Sequence, residues 1–169
     1  DARKVVEEAG GHHVKIISKI ENQEGVENFD SILEVSDAIM VARGDLGVEV
    51  DFFELPVIQR DITRKCGLVG KPVIVATHLL ESMIEHPMPT RAEVSDVANA
   101  VYEEADAVML SGETASGKHP VRCVEVMEQI VRRIEKVETI GTHLHRKANG
   151  TREQLAREPG DVLGPPSKR

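Results

Sequence analysis

Cysteine is scarce in this sequence. Cys66 and Cys123 lie far apart, lack C-x-x-C spacing and fall in stretches that read as helices. Two buried thiols are therefore expected, not a disulfide or a zinc site, and a reducing compartment, the cytoplasm or an organelle, follows. Positive charge is also in deficit: the formal net charge is −8. Phosphate-rich surfaces would be repelled, which argues against nucleic acid and anionic membrane as partners. No apolar run approaches the ~20 residues of a membrane span, and Asp1-Ala2-Arg3-Lys4 opens on a helical pattern without a signal peptide. What remains is a chain of 169 residues, 40% hydrophobic, long enough for one core.

Apolar periodicity organises that core. Ala2, Val5, Val6 and Ala9 fall at helical spacing before Gly10-Gly11, so the chain is expected to begin inside a helix whose preceding structure lies elsewhere. A strand over Val14–Ile20 leads to a helix over Gly25–Leu33, with Val26, Phe29, Ile32 and Leu33 on one face. A second strand, Ala38–Ala42, is followed by a loop over Arg43–Val50. The next helix runs from Phe52 to Cys66, with Gly67 and Gly70 ending it before a strand over Pro72–Ala76. Pro87 and Pro89 mark a long loop, and Thr90-Arg91-Ala92-Glu93 has capping-box spacing ahead of Val94, Val97, Ala98 and Val101. After a fourth strand, Asp106–Leu110, Pro120 opens a helix with Val124, Met127, Val131 and Ile134 in one stripe. The barrel segment is placed at 1–138, and 139–169, rich in Gly and Pro and poor in apolar residues, is expected to be a disordered or atypical tail.

Each strand ends in polar groups. Lys19 and Glu21 point to the same side of their strand; Gly44-Asp45, Thr77 and Ser111 end the next three. The spacings Lys19 to Asp45, Asp45 to Thr77 and Thr77 to Ser111 are 26, 32 and 34 positions. A (β/α)8 barrel of ~250 residues allots about 31 to each unit and gathers strand-end residues into one site. A doubly wound sheet would concentrate its ligand site at one switch point. Four strands can build only half of such a barrel. Taken singly, Lys19 and Glu21 would be a solvated ion pair, and Asp45 a turn residue between glycines.

Four longer stretches resemble pyruvate kinase: Ile16-Ile17-Ser18-Lys19-Ile20-Glu21-Asn22-Gln23-Glu24-Gly25-Val26, Met40-Val41-Ala42-Arg43-Gly44-Asp45-Leu46-Gly47, Pro89-Thr90-Arg91-Ala92-Glu93-Val94-Ser95-Asp96-Val97-Ala98-Asn99-Ala100-Val101 and Met109-Leu110-Ser111-Gly112-Glu113-Thr114-Ala115. They occur in the family's order, across roughly Arg3–Val137. The resemblance implies an α/β fold, a half-barrel holding strands five to eight. It implies phosphoryl transfer between phosphoenolpyruvate and ADP, giving pyruvate and ATP. Glu21 and Asp45 match the carboxylates that bind Mg²⁺ or Mn²⁺, and Lys19 the cation beside the transferring phosphoryl group. The amides around Gly44-Asp45 and the Thr77 hydroxyl match the substrate-carboxylate cradle, and Ser111 a serine of the proton-delivery network. The family's K⁺ ligands, its substrate-contacting arginine and most of its adenine-side surface are expected outside this chain, which by itself is expected to be inactive or nearly so. The family commonly forms homotetramers, and open sheet edges here are expected to allow self-association.

His78 departs from the family's usual glutamine. The alternatives are a metal-dependent lyase or aldolase acting on pyruvate enolate, and a non-catalytic half-barrel that dimerises. Gly112-Glu113-Thr114-Ala115-Ser116-Gly117-Lys118-His119 approaches a P-loop but lacks the metal-binding hydroxyl at His119 and puts Glu113 near the phosphates. No histidine spacing suggests a metal site.

Overall fold

A computed structural model describes residues 2–137. Those up to Ile134 belong to one compact unit, and residues 135–137, assigned to a second, are helical. The tail expected over 139–169 lies outside the described residues. In chain order the elements are α1 (Ala2–Glu8), β1 (Ile17–Ile20), α2 (Gln23–Glu27), α3 (Phe29–Val35), β2 (Ala38–Ala42), α4 (Arg43–Glu49), α5 (Leu55–Val69), β3 (Val73–Ala76), a 3-10 turn (Glu81–Ile84), α6 (Arg91–Tyr102), β4 (Ala107–Met109), α7 (Gly112–Ala115) and α8 (120–137).

The four strands form one parallel sheet in the order β1-β2-β3-β4, with Lys19, Met40, Ile74 and Ala107 in register. Strand order never reverses, so the sheet has no switch point of the doubly wound kind. All four carboxyl ends share one edge. Side chains alternate across a strand, and Ile39, Val41, Val73 and Val75 are buried beneath α3, α5, α6 and α8. Phe29 and Leu33 of α3 with Ile62 and Cys66 of α5 fill one cluster; Val97 and Ala100 of α6 with Cys123 and Met127 of α8 fill the other. Met40 and Ile74, facing the other way, are half-buried. Helices thus cover one face of the sheet, with β1 and β4 at its edges.

Five local expectations are corrected. The strand expected from Val14 starts at Ile17. The single helix expected over Gly25–Leu33 is two: α2 starts early because the Asn22 side chain accepts a hydrogen bond from the Gly25 amide at 2.8 Å, and Asn28 separates it from α3. The loop expected over Arg43–Val50 is mostly helix, because Leu46 has a fully buried position that draws α4 onto the sheet. The next helix starts at Leu55, where Pro56 suits the first turn, and leaves Phe52 and Phe53 74% and 80% exposed. It also runs through Gly67 and stops at Gly70, whose φ of +66° is the left-handed cap a glycine adopts without strain.

The Thr90–Glu93 capping box is present, with the Glu93 amide donating to Thr90 Oγ1 at 3.2 Å and the Thr90 amide to Glu93 Oε2 at 2.7 Å. Glu93 also accepts from the amide and hydroxyl of Ser82 at 2.6 Å each, so the cap ties α6 to the 3-10 turn. Both cysteines are free and buried, and burial pushes the Cys66 thiol up to about 11.

Candidate functional site

The parallel sheet delivers β1, β2, β3 and β4 to one edge, and two side-chain groupings form there. Lys19 Nζ lies 2.5 Å from Glu21 Oε2 and 3.8 Å from Asp45 Oδ2. One ammonium therefore bridges carboxylates from the end of β1 and the first turn of α4. Their side chains are 42% and 67% exposed, so both face solvent. The hydrogen bond to Glu21 and its charge, aided by Asp45, raise the Lys19 pKa, keeping the ammonium charged throughout the neutral range.

The second grouping joins Gly44 to Thr77. The Gly44 amide donates to Thr77 Oγ1 at 2.6 Å, and that hydroxyl donates to the Ala76 carbonyl at 2.6 Å. A Cβ at Gly44 would stand 3.3 Å from Thr77 Oγ1 and 3.4 Å from His78 Cε1, so α4 approaches the β3 end closely enough that the Thr77 hydroxyl would have to give by a few tenths of an ångström. Thr77 and His78 have φ of +70° and +54°. That region is sterically unfavourable for residues with a Cβ, and more so for a β-branched one.

Arg43 holds this strained turn. Its side chain is 8% exposed and donates to the Thr77 carbonyl at 2.8 Å from Nη2 and 3.2 Å from Nε, and to the His78 carbonyl at 3.2 Å. Nη1 reaches Asp96 Oδ1 of α6 at 2.7 Å and Gln59 Oε1 of α5 at 3.3 Å. Gln59 in turn donates to Glu103 at 2.8 Å. Sequence reasoning missed Arg43, which sits beside Gly44-Asp45 and reads as a loop residue. The available signal was an arginine directly after an apolar strand, where its fork can take two carbonyls and a carboxylate together.

Among the described residues, no hydrogen bond joins Ser111 to the other five expected site residues. Its amide donates to Glu113 Oε2 at 2.8 Å. The near-P-loop uses its amides within the fold: Gly117 donates to the Gly112 carbonyl at 2.9 Å and Lys118 to the Ile84 carbonyl at 2.8 Å. Lys118 Nζ is paired with Glu85. No cluster of three or more His, Cys, Asp or Glu able to hold a metal occurs among the described residues. No described helix is long and apolar enough to cross a membrane.

Residues 1–124 match the family model for the pyruvate kinase barrel domain. The chain is 56% identical over 133 residues to pyruvate kinase of Clostridium acetobutylicum, covering 79% of this chain and 28% of that protein. It is 49% identical over 165 residues to that of Bacillus licheniformis, covering 97% and 27%. With pyruvate kinase of Dictyostelium discoideum the identity is 61% over 129 residues, covering 76% and 25%. The chain thus spans about a quarter of the length of the curated relatives it matches. With four parallel strands joined by helices and a family model matched over most of its length, the chain belongs to the pyruvate kinase family as part of its barrel domain.

Proposed function

We propose that these strands are the fifth to eighth of an eight-stranded barrel and that their ends serve phosphoryl transfer from phosphoenolpyruvate to ADP. The observation that carries this is the sharing of one cation, Lys19 Nζ, by Glu21 and Asp45, carboxylates from different elements. Two solvent-facing hard oxygen donors fit Mg²⁺ or Mn²⁺, ions that keep few protein ligands and fill the remainder from substrate and water. When bound there, the divalent ion would act as a Lewis acid and neutralise charge on substrate oxygens.

Lys19 then supplies a fixed positive charge beside the transferring phosphoryl group, where charge on its oxygens needs stabilising. Gly44 and Thr77 form the cradle for the substrate carboxylate. Their donors are satisfied in the free chain, the amide by Thr77 Oγ1 and the hydroxyl by the Ala76 carbonyl. An incoming carboxylate exchanges these partners for its own oxygens, so no donor is stripped bare on binding. Arg43 fixes where the Thr77 hydroxyl stands. Ser111 offers a hydroxyl at the neighbouring strand end for proton delivery.

Phosphoenolpyruvate and ADP are the proposed substrates, with K⁺ and the adenine bound by segments beyond this chain. On that reading the 169 residues alone transfer phosphate slowly or not at all. The free edges at β1 and β4 pair with the remainder of a barrel or with another copy.

Calorimetric titration with Mn²⁺ and oxalate, a planar stand-in for pyruvate enolate, tests the site. Binding by the wild type that is lost in both Glu21→Gln and Asp45→Asn is the expected result. Equal binding by all three would remove the carboxylates from the proposal, and turnover close to that of a complete enzyme would refute the dependence on absent segments.

A further inference from the structure

Glu113 is fully buried in α7, yet it belongs to neither grouping at the strand ends. Its two oxygens divide between two different loops. Oε2 accepts from the Ser111 amide at 2.8 Å, just after β4, and Oε1 accepts from the Leu80 amide at 3.1 Å, in the turn that follows β3. Among the described residues it makes no ion pair. Removing a carboxylate from water is costly unless its lone pairs are taken up by donors, and here backbone amides supply them.

The turn between these contacts carries Thr77. At one end the buried guanidinium of Arg43 grips the Thr77 and His78 carbonyls, and at the other the buried carboxylate of Glu113 grips the Leu80 amide. Leu79 and Leu80 are fully buried between them. Residues 77–80 are thereby suspended between two buried polar side chains, with two successive residues at positive φ. A turn held that far from its preferred backbone geometry persists only where its surroundings over-determine it. The oxygen of Glu113 not used on this turn is the one that places Ser111.

On the reading of the strand ends as one phosphoryl-transfer site, on which this inference rests, we propose that Glu113 is a positioning residue that sets Ser111 and the Thr77 turn in mutual register. A carboxylate suits the task because both of its oxygens accept. A glutamine of the same size accepts with one and turns an NH₂ towards the other amide, so it cannot hold both loops at once and their shared register is lost. Aspartate keeps both acceptors but is one methylene short and can satisfy one loop at a time.

Amide hydrogen exchange by NMR on the 169-residue chain separates positioning from simple packing. The Gly44 amide reports on Thr77, since it donates to Thr77 Oγ1 and never touches Glu113. In Glu113→Gln, exchange at Leu80, Ser111 and Gly44 should accelerate together by about tenfold, the scale of one lost hydrogen bond to a charged group, with α5 amides unchanged. Acceleration at Leu80 and Ser111 with Gly44 unchanged would overturn the proposal, because Glu113 would then only satisfy its own two amides. Glu113→Asp should give the same pattern at smaller amplitude. Should neither variant fold, the wild type decides: the three amides must exchange through one shared opening, and independent rates would overturn the proposal. Mn²⁺ and oxalate titration adds the reaction side, where affinity should fall about tenfold in Glu113→Gln. Absence of oxalate binding in the wild type would instead refute the reaction reading, while Gly44 exchange still decides whether Glu113 positions Thr77.

Discussion

Replacing Arg43 by lysine keeps the charge and removes the fork. The guanidinium donates to two carbonyls, one carboxylate and one amide oxygen from three nitrogens, and an ammonium at the end of a lysine reaches one or two of these. Asp96 is 36% exposed, so its lost ion pair is largely replaced by water and contributes little. The Thr77 and His78 carbonyls are part-buried, and each unmade hydrogen bond costs about 1 kcal/mol. Arg43→Lys should therefore destabilise the chain by about 2 kcal/mol, which at a slope of about 2 kcal/mol/M lowers the urea midpoint by about 1 M. Equilibrium urea unfolding followed by far-ultraviolet circular dichroism measures this. A midpoint shift under about 0.2 M, with unchanged slope, would refute the idea that Arg43 holds the strained turn.

Three further outcomes follow from particular contacts. Glu104 has φ of +63° at the end of α6, where the Glu104 and Ala105 amides bond back to Val101 and Ala100 in the pattern that normally carries glycine. Glu104→Gly should stabilise by roughly 0.5–1 kcal/mol, the relieved strain less the added freedom of the unfolded chain, and a lower thermal midpoint would contradict it. Arg3 and the Ile16 amide hold the Asp37 carboxyl down at about 2 against its ordinary 3.8. Its contribution is therefore complete above pH 3.8 and lost as pH falls towards 2, so wild type and Asp37→Asn should differ in urea midpoint at neutral pH and converge by about pH 2. Lys19→Met removes the ammonium that occupies the two carboxylates, and Mn²⁺ affinity without oxalate should rise roughly two- to fivefold; weaker binding would mean that Lys19 does not compete for them.

Much of this arrangement is legible in the chain because strand ends and caps have local signals. Val73–Ala76 is a short apolar run between a helix stop and Thr77, and Thr90 with Glu93 spells its own cap. Helix α4 is hidden because Gly44 and Gly47 read as loop in a segment of seven residues; its formation depends on Leu46 reaching the core, a tertiary effect. The break between α2 and α3 carries no glycine or proline, and the apolar stripe runs across Asn28 unbroken. Positive φ at Thr77 is likewise invisible, since a β-branched residue is among the least expected there. Spacing brings Lys19, Glu21 and Asp45 to one edge, and Gly44 to Thr77. It does not disclose that buried Arg43 and Glu113 grip the turn between them, because long-range partners from α5, α6 and the β3 end supply that environment.

Electron paramagnetic resonance of Mn²⁺ titrated with the 169-residue chain and ¹⁷O-oxalate tests most directly whether these strand ends assemble one cation and enolate site. One bound ion per chain is expected, with lines broadened by the labelled oxygens and the bound spectrum lost in both Glu21→Gln and Asp45→Asn. A spectrum of the free aqueous ion at every protein concentration would contradict it.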